Sequence, residues 1–304
     1  MSTAAPELPP GWWACDLSSA EYPTLLRDVD RPPALAVRGE LEAGAEMVAI
    51  VGARRSSAYG EEVGYEMAMQ LAAAGITIVS GMARGIDAAA HRGAIDAGGR
   101  TVAVMGTGPD SVYPPEHRVL AESIAASGAL VTQFPAGTPP LRGNFPTRNA
   151  TISGMSVAVV VVEARRQSGA MLTASAAGNQ GRTVMAVPGS VRNAVSRGCH
   201  DLIRDGAHLV ASAQDVLADL RSDPLLRLLA APAEAEVRFG DARDAVLGAL
   251  GAGSMTLDEI VSAVPGPSAV TVTAVARLRL DQEIRLRDGA YGLAVERTPR
   301  NRNA

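Results

Sequence analysis

The chain has 304 residues, of which 47% are hydrophobic and only 3% aromatic, and it carries a formal net charge of −4 at pH 7. This length supports one good-sized α/β domain with a smaller second unit, and the acidic balance argues against bulk attraction to polyanions. The two cysteines, Cys15 and Cys199, exclude a disulfide framework and indicate a reducing cytoplasm, and no stretch approaches the length of a membrane span.

The first part of the chain is rich in proline and has no clear periodicity, so we expect residues 1 to about 20 to be loosely structured. They also lack the basic flank and apolar run of a signal peptide. Between Tyr22 and Gly39, an apolar turn of helix is predicted to lead through Pro32 and Pro33 into a short strand.

A regular alternation of apolar strands and helices follows. The predicted strands are Met47–Val51, Ile76–Val79, Thr101–Met105, Ala129–Thr132, Val157–Val162, Thr183–Val187 and Ala207–Val210. The predicted helices include Gly60–Ala74, Ile86–Ala97, Pro115–Ala126 and Gly169–Gln180. Continuous apolar strands separated by helices indicate a mostly parallel sheet covered on both faces, which is a doubly wound α/β fold.

The pattern changes after the last of these strands. We predict an N-terminal extension over 1–45, the α/β domain over 46–220, a linker over 221–240 and a tail over 296–304. Residues 241–295 show short helices followed by a hairpin with a turn at Asp288–Gly289, a winged-helix-like pattern. Its third helix, Ser268–Gln282, carries Arg277 and Arg279 but is mostly apolar, which favours protein contact over duplex DNA binding.

The run FPTRNATISGMS, Phe145 to Ser156, stands out in the middle of the chain. An aromatic, a proline, an arginine and an asparagine are predicted to form a loop that leads into a short helical segment. An aromatic residue and an arginine in a loop just before a buried strand are hard to explain as core. They suit a site that stacks a flat base and holds a phosphate.

Glycine-rich segments follow three of the predicted strands, in the motifs VAIVGARRSS, VSGMARGID and AVMGTGPDS. Ligands of doubly wound sheets bind beyond the carboxyl ends of the strands, where free backbone amides and arginines hold anions. The alternative is that these segments are ordinary tight turns between strands and helices. In that case, Asp87 caps a helix. The candidate phosphate-binding residues are Gly52, Arg54, Ser80, Gly81, Arg84, Gly85, Gly106 and Gly108.

The segment EARRQSGAMLTA follows the fifth apolar strand and brings Glu163, Ser168 and Gly169 before a helix. Glu163 is the most enzyme-like residue of the chain, so one hypothesis is a nucleotide-processing or nucleotide-sensing protein with Glu163 as acid or base. More often, such a carboxylate binds a loop amide or an arginine. No second carboxylate, Ser–His–Asp set or metal-binding histidine spacing completes a catalytic site, and we expect neither cofactor nor metal.

Taken in order, these motifs resemble the DprA/Smf family of bacterial DNA-processing proteins. The resemblance runs from about Tyr22 to Leu220 and includes YPTLL, SGMARGIDAAAH, FPTRN and QGRTVMAVPGS. It implies an extended Rossmann-like domain that binds single-stranded DNA, forms a homodimer and helps to load the RecA recombinase in natural transformation. It also implies that Phe145, Arg148 and Asn149 complete a DNA groove beside the glycine-rich phosphate pocket.

The chain departs from the family pattern in four places. Ala150 and Ser175 stand where basic residues are usual, and Gln133 stands where a glutamate is usual. The loss of two positive charges predicts weaker DNA binding. The helical N-terminal domain that many members carry is expected to be absent, because little chain precedes Tyr22.

Overall fold

A computed structural model of the chain describes residues 8–222, 234–251, 253–265, 271–272, 274–275, 278, 283–287 and 290–293. The chain divides between Leu220 and Arg221 into two compact units. In the first unit, the strands β1 to β9 span Trp12–Cys15, Leu35–Gly39, Met47–Val51, Thr77–Ser80, Thr101–Val104, Ala129–Thr132, Ala158–Val161, Thr183–Ala186 and His208–Leu209. The helices α1 to α7 span Ala58–Ala73, Ile86–Asp96, Arg118–Ser127, Asn144–Met155, Gly169–Asn179, Arg197–Arg204 and Ala213–Ser222.

The nine strands form one sheet in the order β1-β2-β6-β5-β4-β3-β7-β8-β9. All pairs from β6 to β9 along this order are parallel, whereas β1 and β2 add an antiparallel edge. The chain winds outward from β3 to β6 and then returns to place β7 on the other side of β3. The predicted doubly wound, mostly parallel sheet is confirmed, and β3 and β7 flank its topological switch point.

The N-terminal region is more ordered than its sequence predicts. Trp12–Cys15 forms β1, which pairs with β2 so that Cys15 lies opposite Leu35. Cys15 is buried, and the indole N–H of Trp13 donates to the carbonyl oxygen of Gly39 at 3.2 Å. The expectation of a loosely structured segment up to residue 20 is therefore wrong for this strand. Four residues are too few to show periodicity, and the strand is stabilised by pairing with a distant partner.

Small and β-branched side chains form the core around the sheet. Every residue of β3 is buried, from Met47 to Val51, as expected of a strand covered by helices on both faces. Burying a side chain such as Ile50 stabilises the fold by roughly 1.5–3 kcal/mol. Tyr22 is also fully buried beneath the N-terminal strands, and its hydroxyl donates to the carbonyl oxygen of Pro33 at 2.8 Å.

Helix starts differ slightly from the predictions, and α1 shows why. It begins at Ala58, two residues before the predicted start at Gly60, because Ser57 caps it. The Ser57 hydroxyl accepts a hydrogen bond from the Gly60 amide at 3.1 Å, which satisfies one of the donors that a helix N-terminus leaves free. With Ser57 as its cap, α1 starts two residues closer to the end of β3 than the sequence predicts.

The second unit contains α8 (Glu234–Leu250), α9 (Leu257–Ala263) and a hairpin of β10 (Ile284–Arg287) and β11 (Ala290–Leu293). α9 starts with a capping box, in which Thr256 and Glu259 bond each other's backbone amides. Helix α8 begins at Glu234, inside the segment predicted as a linker. Asp288–Gly289 and most of Ser268–Gln282, including Arg277 and Arg279, lie outside the described residues. The winged-helix assignment stays a prediction.

Candidate nucleic-acid interface

The glycine-rich segments meet at one edge of the sheet, because parallel strands place their carboxyl ends together. We call this the carboxyl edge, formed by the segments that follow β3, β4, β5 and β7. Val51 at the end of β3 is paired with Val161 at the end of β7. The segments 52–57 and 164–168 therefore start side by side at the switch point, where doubly wound sheets bind their ligands.

A cleft of about 220 Å³ opens at this switch point. We call it the switch-point cleft. It combines polar residues from three strand ends with residues of α4 and α5. Its lining comprises Val51, Gly52, Ala53, Arg54, Arg55, Ala83, Asp87, Arg148, Asn149, Ile152, Arg165, Ser168, Gly169, Ala170 and Thr173. The structure thus brings together Gly52, Arg54, Arg148, Asn149, Ser168 and Gly169 of the predicted site.

Arg148 lies inside the protein. It is only 3% exposed, and its Nη1 donates to the carbonyl oxygens of Gly81 at 2.5 Å and Val104 at 2.7 Å. Its Nε donates to the Asn149 side chain at 3.1 Å. Burial lowers the pKa of Arg148 to about 10, so it stays protonated at neutral pH. A buried charge held by two strand-end carbonyls rigidifies the carboxyl edge.

The predicted helical segment starts earlier than expected and includes Phe145 and Arg148, which corrects the prediction that these two residues lie in a loop. Helix α4 begins at Asn144, so Phe145 and Pro146 occupy its first turn. Proline is tolerated there because the first-turn amides have no acceptor within the helix. The helix start carries the aromatic ring to the carboxyl edge and directs Arg148, one turn later, into the interior.

The Phe145 ring is stacked against cations. The guanidinium carbon of Arg54 lies 4.8 Å from the ring centroid, and that of Arg148 lies 5.7 Å from it. The Tyr113 ring is tilted against it, with centroids 6.2 Å apart. We call this group, Phe145 with Arg54 and Tyr113, the aromatic shelf. A small pocket of about 30 Å³ beside it is also lined by Gly81, Arg84 and Gly106.

The predicted glycines allow close approach between the turns. A Cβ on Gly81 would lie 2.3 Å from Arg148 Nη1, and one on Gly106 would lie 3.0 Å from the Phe145 ring. Gly85 has φ +73°, and a Cβ there would lie 2.3 Å from the carbonyl oxygen of Ala53. Glycine is therefore required where the turns pack against the arginine, the ring and each other.

Three other predicted residues lie apart from the cleft. Ser80 is fully buried, and its hydroxyl donates to the carbonyl oxygen of Ile50 at 2.6 Å, so it holds β3 and β4 together. Gly108 packs against the carbonyl oxygen of Pro135. Arg84 is exposed and forms an ion pair with Glu116 at 2.5 Å. Gly108 and Arg84 lie at the carboxyl edge, whereas the Ser80 side chain faces the interior. The phosphate-binding role of these three positions stays a prediction.

Asn149 and Ser168 connect α4 to the start of α5. The Asn149 amide donates to the carbonyl oxygen of Gly169 at 3.0 Å. Ser168 precedes the first residue of α5 but makes no side-chain capping bond. Its buried hydroxyl has no hydrogen-bond partner within the part of the chain that the structure describes. This unsatisfied group lies at a helix start in the cleft.

The predicted site residues do not include Asp87, Arg55 or Arg165, and all three line the cleft. Asp87 is buried, and its carboxylate accepts a hydrogen bond from the Ala83 amide at 3.2 Å. Burial raises the pKa of Asp87, while Arg148 and Arg54 oppose that shift. The signal for Arg55 and Arg165 was present, since each adjoins a predicted strand end.

Glu163 has a structural partner. It is 1% exposed, and its two carboxylate oxygens accept hydrogen bonds from the amide of Ser57 at 2.9 Å and its hydroxyl at 2.6 Å. A Cβ on Gly60 would lie 2.5 Å from this carboxyl group. The residue fastens the start of α1 to the end of β7, and it is absent from the lining of the switch-point cleft.

None of the three positions that depart from the family pattern lines the cleft. Neither Ala150 on α4 nor Ser175 on α5 belongs to the lining. Gln133 accepts a hydrogen bond from the Thr151 hydroxyl.

The described residues contain neither a cluster of metal-ligating side chains nor a helix long and apolar enough to cross a membrane.

Residues 14–221 match the model of the family described as DNA recombination-mediator protein A. The chain belongs to this family. Protein Smf of Escherichia coli is 46% identical over 201 residues, which are 66% of this chain and 54% of that protein. The chain thus spans about half the length of the curated relatives it matches.

Two solved structures of family members share the fold. The X-ray structure of DNA processing protein A from Streptococcus pneumoniae has a TM-score of 0.66 and 38% identity, covering 69% of this chain and 74% of that one. DNA processing protein A from Helicobacter pylori has a TM-score of 0.62 and 25% identity, covering 70% and 96%. The latter is described by its unique single-stranded DNA binding mode. The Rossmann-like fold of the first unit is confirmed.

Proposed function

We propose that this chain binds single-stranded DNA along the carboxyl edge and acts as a recombination mediator without catalytic activity of its own. The observation that carries the proposal is the aromatic shelf beside the switch-point cleft. One face offers a ring for base stacking, and the neighbouring cleft is lined by Arg54, Arg55, Arg148 and Arg165. This pairing of a ring and clustered cations suits an unpaired, negatively charged strand.

The proposed contacts are independent of base sequence. Stacking on an aromatic ring contributes roughly 1–3 kcal/mol per base because every base has a π face. Arginines and free backbone amides hold phosphates without reading base edges. The net charge of −4 leaves this local cluster as the main source of attraction.

Within this proposal the two central arginines act differently. Arg54 is exposed and lies over Phe145, so its guanidinium has to move aside when a base stacks on that face of the ring, and it can then contact a phosphate. Arg148 uses Nη1 and Nε on protein acceptors. We therefore assign Arg54 to phosphate contact and Arg148 to positioning the shelf.

The absence of catalysis is part of the proposal, and the contacts of Glu163 support it. Both of its carboxylate oxygens are engaged by Ser57, and a general acid or base must instead reach a substrate. The alternative, a nucleotide-processing protein, requires Glu163 to leave these bonds.

The decisive experiment is fluorescence anisotropy with a labelled single-stranded oligonucleotide, a matching duplex as competitor and a salt series. Preference for the single strand and affinity that falls steadily with salt are expected. Phe145→Ala and Phe145→Leu should each weaken binding by about 5- to 150-fold, the equivalent of one stacked base. Unchanged affinity in both variants would contradict the proposal that bases stack on the aromatic shelf.

Arg84→Ala tests the rim of the edge and has a matched control. Arg84 and Arg38 each form an ion pair with a glutamate at 2.5 Å, but Arg38 pairs with Leu130 near the start of β6, at the opposite edge of the sheet. Arg84→Ala should weaken binding, and Arg38→Ala should leave it unchanged. Equal effects of the two changes would contradict a site at the carboxyl edge.

We further propose that the chain works in the cytoplasm as a homodimer that helps to load RecA onto incoming strands in natural transformation. The family resemblance supports this assignment, and both cysteines are free and buried, as suits a reducing compartment. Sedimentation should give a dimer, and the protein should accelerate RecA assembly on single strands. A monomer at working concentration would contradict the homodimer. Unchanged RecA assembly would contradict the loading role.

For the second unit we propose protein contact rather than duplex binding. The mostly apolar sequence of Ser268–Gln282 supports this. Truncation after residue 222 should then leave the affinity for single strands and duplex unchanged while reducing the effect on RecA. Loss of duplex affinity on truncation would favour a DNA-binding wing.

A further inference from the structure

We propose that the switch-point cleft is a terminal-phosphate pocket, which takes a phosphate monoester at the end of a DNA strand. The inference rests on the proposed function, since it assumes that a single strand lies across the carboxyl edge. It adds a distinct ligand, because internal phosphates are diesters. The size of the cleft, its unpaired cations, an unsatisfied hydroxyl and the chemistry of the two phosphate types support this assignment.

The cleft has the size of a fragment of a nucleotide. Its volume is about 220 Å³, whereas sites that enclose a whole drug-sized ligand measure roughly 300–1,000 Å³. A phosphate with part of its sugar fits this volume, while a complete nucleotide needs the base to lie outside. The aromatic shelf adjoins the cleft through Arg54, which lines both, so a base outside the cleft has a ring to stack on.

Three arginines of the cleft are available to a ligand. Arg54, Arg55 and Arg165 are exposed, and no carboxylate lies within 4.0 Å of their guanidinium nitrogens among the described residues. The next residue after Arg165 shows the contrast. Arg166 forms a two-bond ion pair with Asp201 at 2.5 and 3.1 Å and does not line the cleft. Of these two adjacent arginines, Arg166 is thus neutralised by Asp201, and Arg165 keeps its charge available to a ligand.

The start of α5 adds neutral donors. This helix has 11 residues, and Ser168, Gly169 and Ala170 at its start line the cleft. The first-turn amides have no acceptor within the helix, and the positive end of the helix dipole favours an anion. The Ser168 hydroxyl is buried without a partner. Such a group costs stability unless a ligand or water satisfies it.

The cleft also contains one acid, and its charge is already compensated. The Asp87 carboxylate accepts a hydrogen bond from the Ala83 amide, and Arg148 is its strongest charged neighbour. Among the described residues, no carboxylate, Asp87 included, lies within 4.0 Å of the Arg148 guanidinium nitrogens, so this compensation is one of net charge and not of a direct ion pair. Asp87 and Arg148 therefore offset each other, and Arg54, Arg55 and Arg165 leave the cleft positive.

This donor set matches a monoester better than a diester. An internal phosphodiester has two free oxygens and one negative charge. A terminal phosphate has three free oxygens and a charge of about −1.5 to −2 at pH 7. Three unpaired guanidinium groups together with the donors at the start of α5 exceed what a diester uses. The terminal phosphate is the DNA group that satisfies them.

The test compares oligonucleotides of about six nucleotides, a length within the site sizes of single-strand binding folds. One carries a 5′-phosphate, one a 3′-phosphate and one hydroxyls at both ends, and each has an internal label. Thymidine 5′-monophosphate is titrated separately as a free monoester. We expect one phosphorylated oligonucleotide to bind at least about tenfold more tightly than the hydroxyl form, the effect of one added charge-assisted contact.

Neighbouring variants localise the effect. Arg165→Gln and Ser168→Ala should reduce the ratio of the affinities for the phosphorylated and hydroxyl oligonucleotides toward one. Arg166→Gln should leave this ratio unchanged. Tight binding of thymidine 5′-monophosphate alone, equal to the phosphorylated oligonucleotide, would make the ligand a free mononucleotide and overturn the strand-end assignment.

Two failures can be told apart. Equal binding of phosphorylated and hydroxyl oligonucleotides overturns the terminal-phosphate pocket but leaves single-strand binding intact. If neither they nor a strand of about 40 nucleotides bind at low salt, the proposed function itself fails.

Discussion

The Nη1 atom of Arg148 lies 2.5 Å from the carbonyl oxygen of Gly81, and no space remains at Gly81 for a Cβ. The glycine and the arginine come from segments 67 residues apart in sequence. Each therefore needs the other: the carbonyl satisfies a buried guanidinium, and the missing side chain admits it. This pair holds the end of β4 against α4 and so fixes the shelf that α4 carries.

Gly81→Ala tests this packing. The new methyl would lie 2.3 Å from Arg148 Nη1, and since the guanidinium is fixed by hydrogen bonds, we expect a loss of about 1–3 kcal/mol in unfolding free energy. Gly178→Ala is the control, because a Cβ there meets nothing within 4 Å and alanine in a helix gains about 0.5–1 kcal/mol over glycine. Urea unfolding measures both; equal midpoints would contradict the tight contact.

Arg148→Gln and Arg54→Gln separate positioning from phosphate contact. Each phosphate contact on a single strand contributes about 0.7 to the slope of log affinity against log salt. We expect Arg54→Gln to reduce the slope by about that amount, because the exposed Arg54 faces the strand. Arg148→Gln should lower affinity at every salt concentration without changing the slope. A thermal melt confirms folding, and a reduced slope in Arg148→Gln would make it a phosphate contact.

Glu163→Gln tests the carboxylate that holds Ser57. Glutamine keeps one acceptor oxygen but replaces the other with an NH2 donor, so one of the two Ser57 bonds is lost and we expect a loss of about 1–3 kcal/mol in unfolding free energy. Glu62→Gln on the exposed side of α1 should change it by less than about 0.5 kcal/mol. A nucleotide panel should show no base or phosphate release by the wild type. Release that Glu163→Gln abolishes would instead restore the enzyme hypothesis.

His91 predicts a pH dependence of stability. It is fully buried, with Nδ1 2.7 Å from the Thr101 hydroxyl and Nε2 without a partner in the described structure. Burial lowers the pKa of His91 to about 3, from an ordinary value of 6.5. Between these values the unfolded chain binds a proton that the folded chain does not, so stability falls as pH falls, by about 1 kcal/mol per unit.

The measurement is urea unfolding at pH 7, 6 and 5 for the wild type and for His91→Met. The variant should lose most of the slope between pH 6 and 5, whatever its absolute stability, because it has no imidazole to protonate. The raised pKa of Asp87 acts in the opposite direction and is common to both proteins. The same slope in both would mean that His91 is not kept neutral by burial.

The sequence by itself determined the sheet and the edge of the sheet at which the glycine-rich segments meet. Apolar runs such as Met47–Val51 can only be buried between two helical layers, and their alternation with helices forces parallel strands. Glycines after those strands then mark the carboxyl edge. These inferences need only local periodicity and the topology of parallel sheets, and the structure confirms the fold they predict.

Only the tertiary structure decided what each side chain does there. Whether Arg148 faces solvent or Gly81, whether Glu163 meets a substrate or Ser57, and whether Arg165 is paired depend on residues distant along the chain. Trp12–Cys15 likewise becomes a strand only because β2 lies beside it. Burial and pairing are set by these long-range contacts, which a single sequence does not encode in any local pattern.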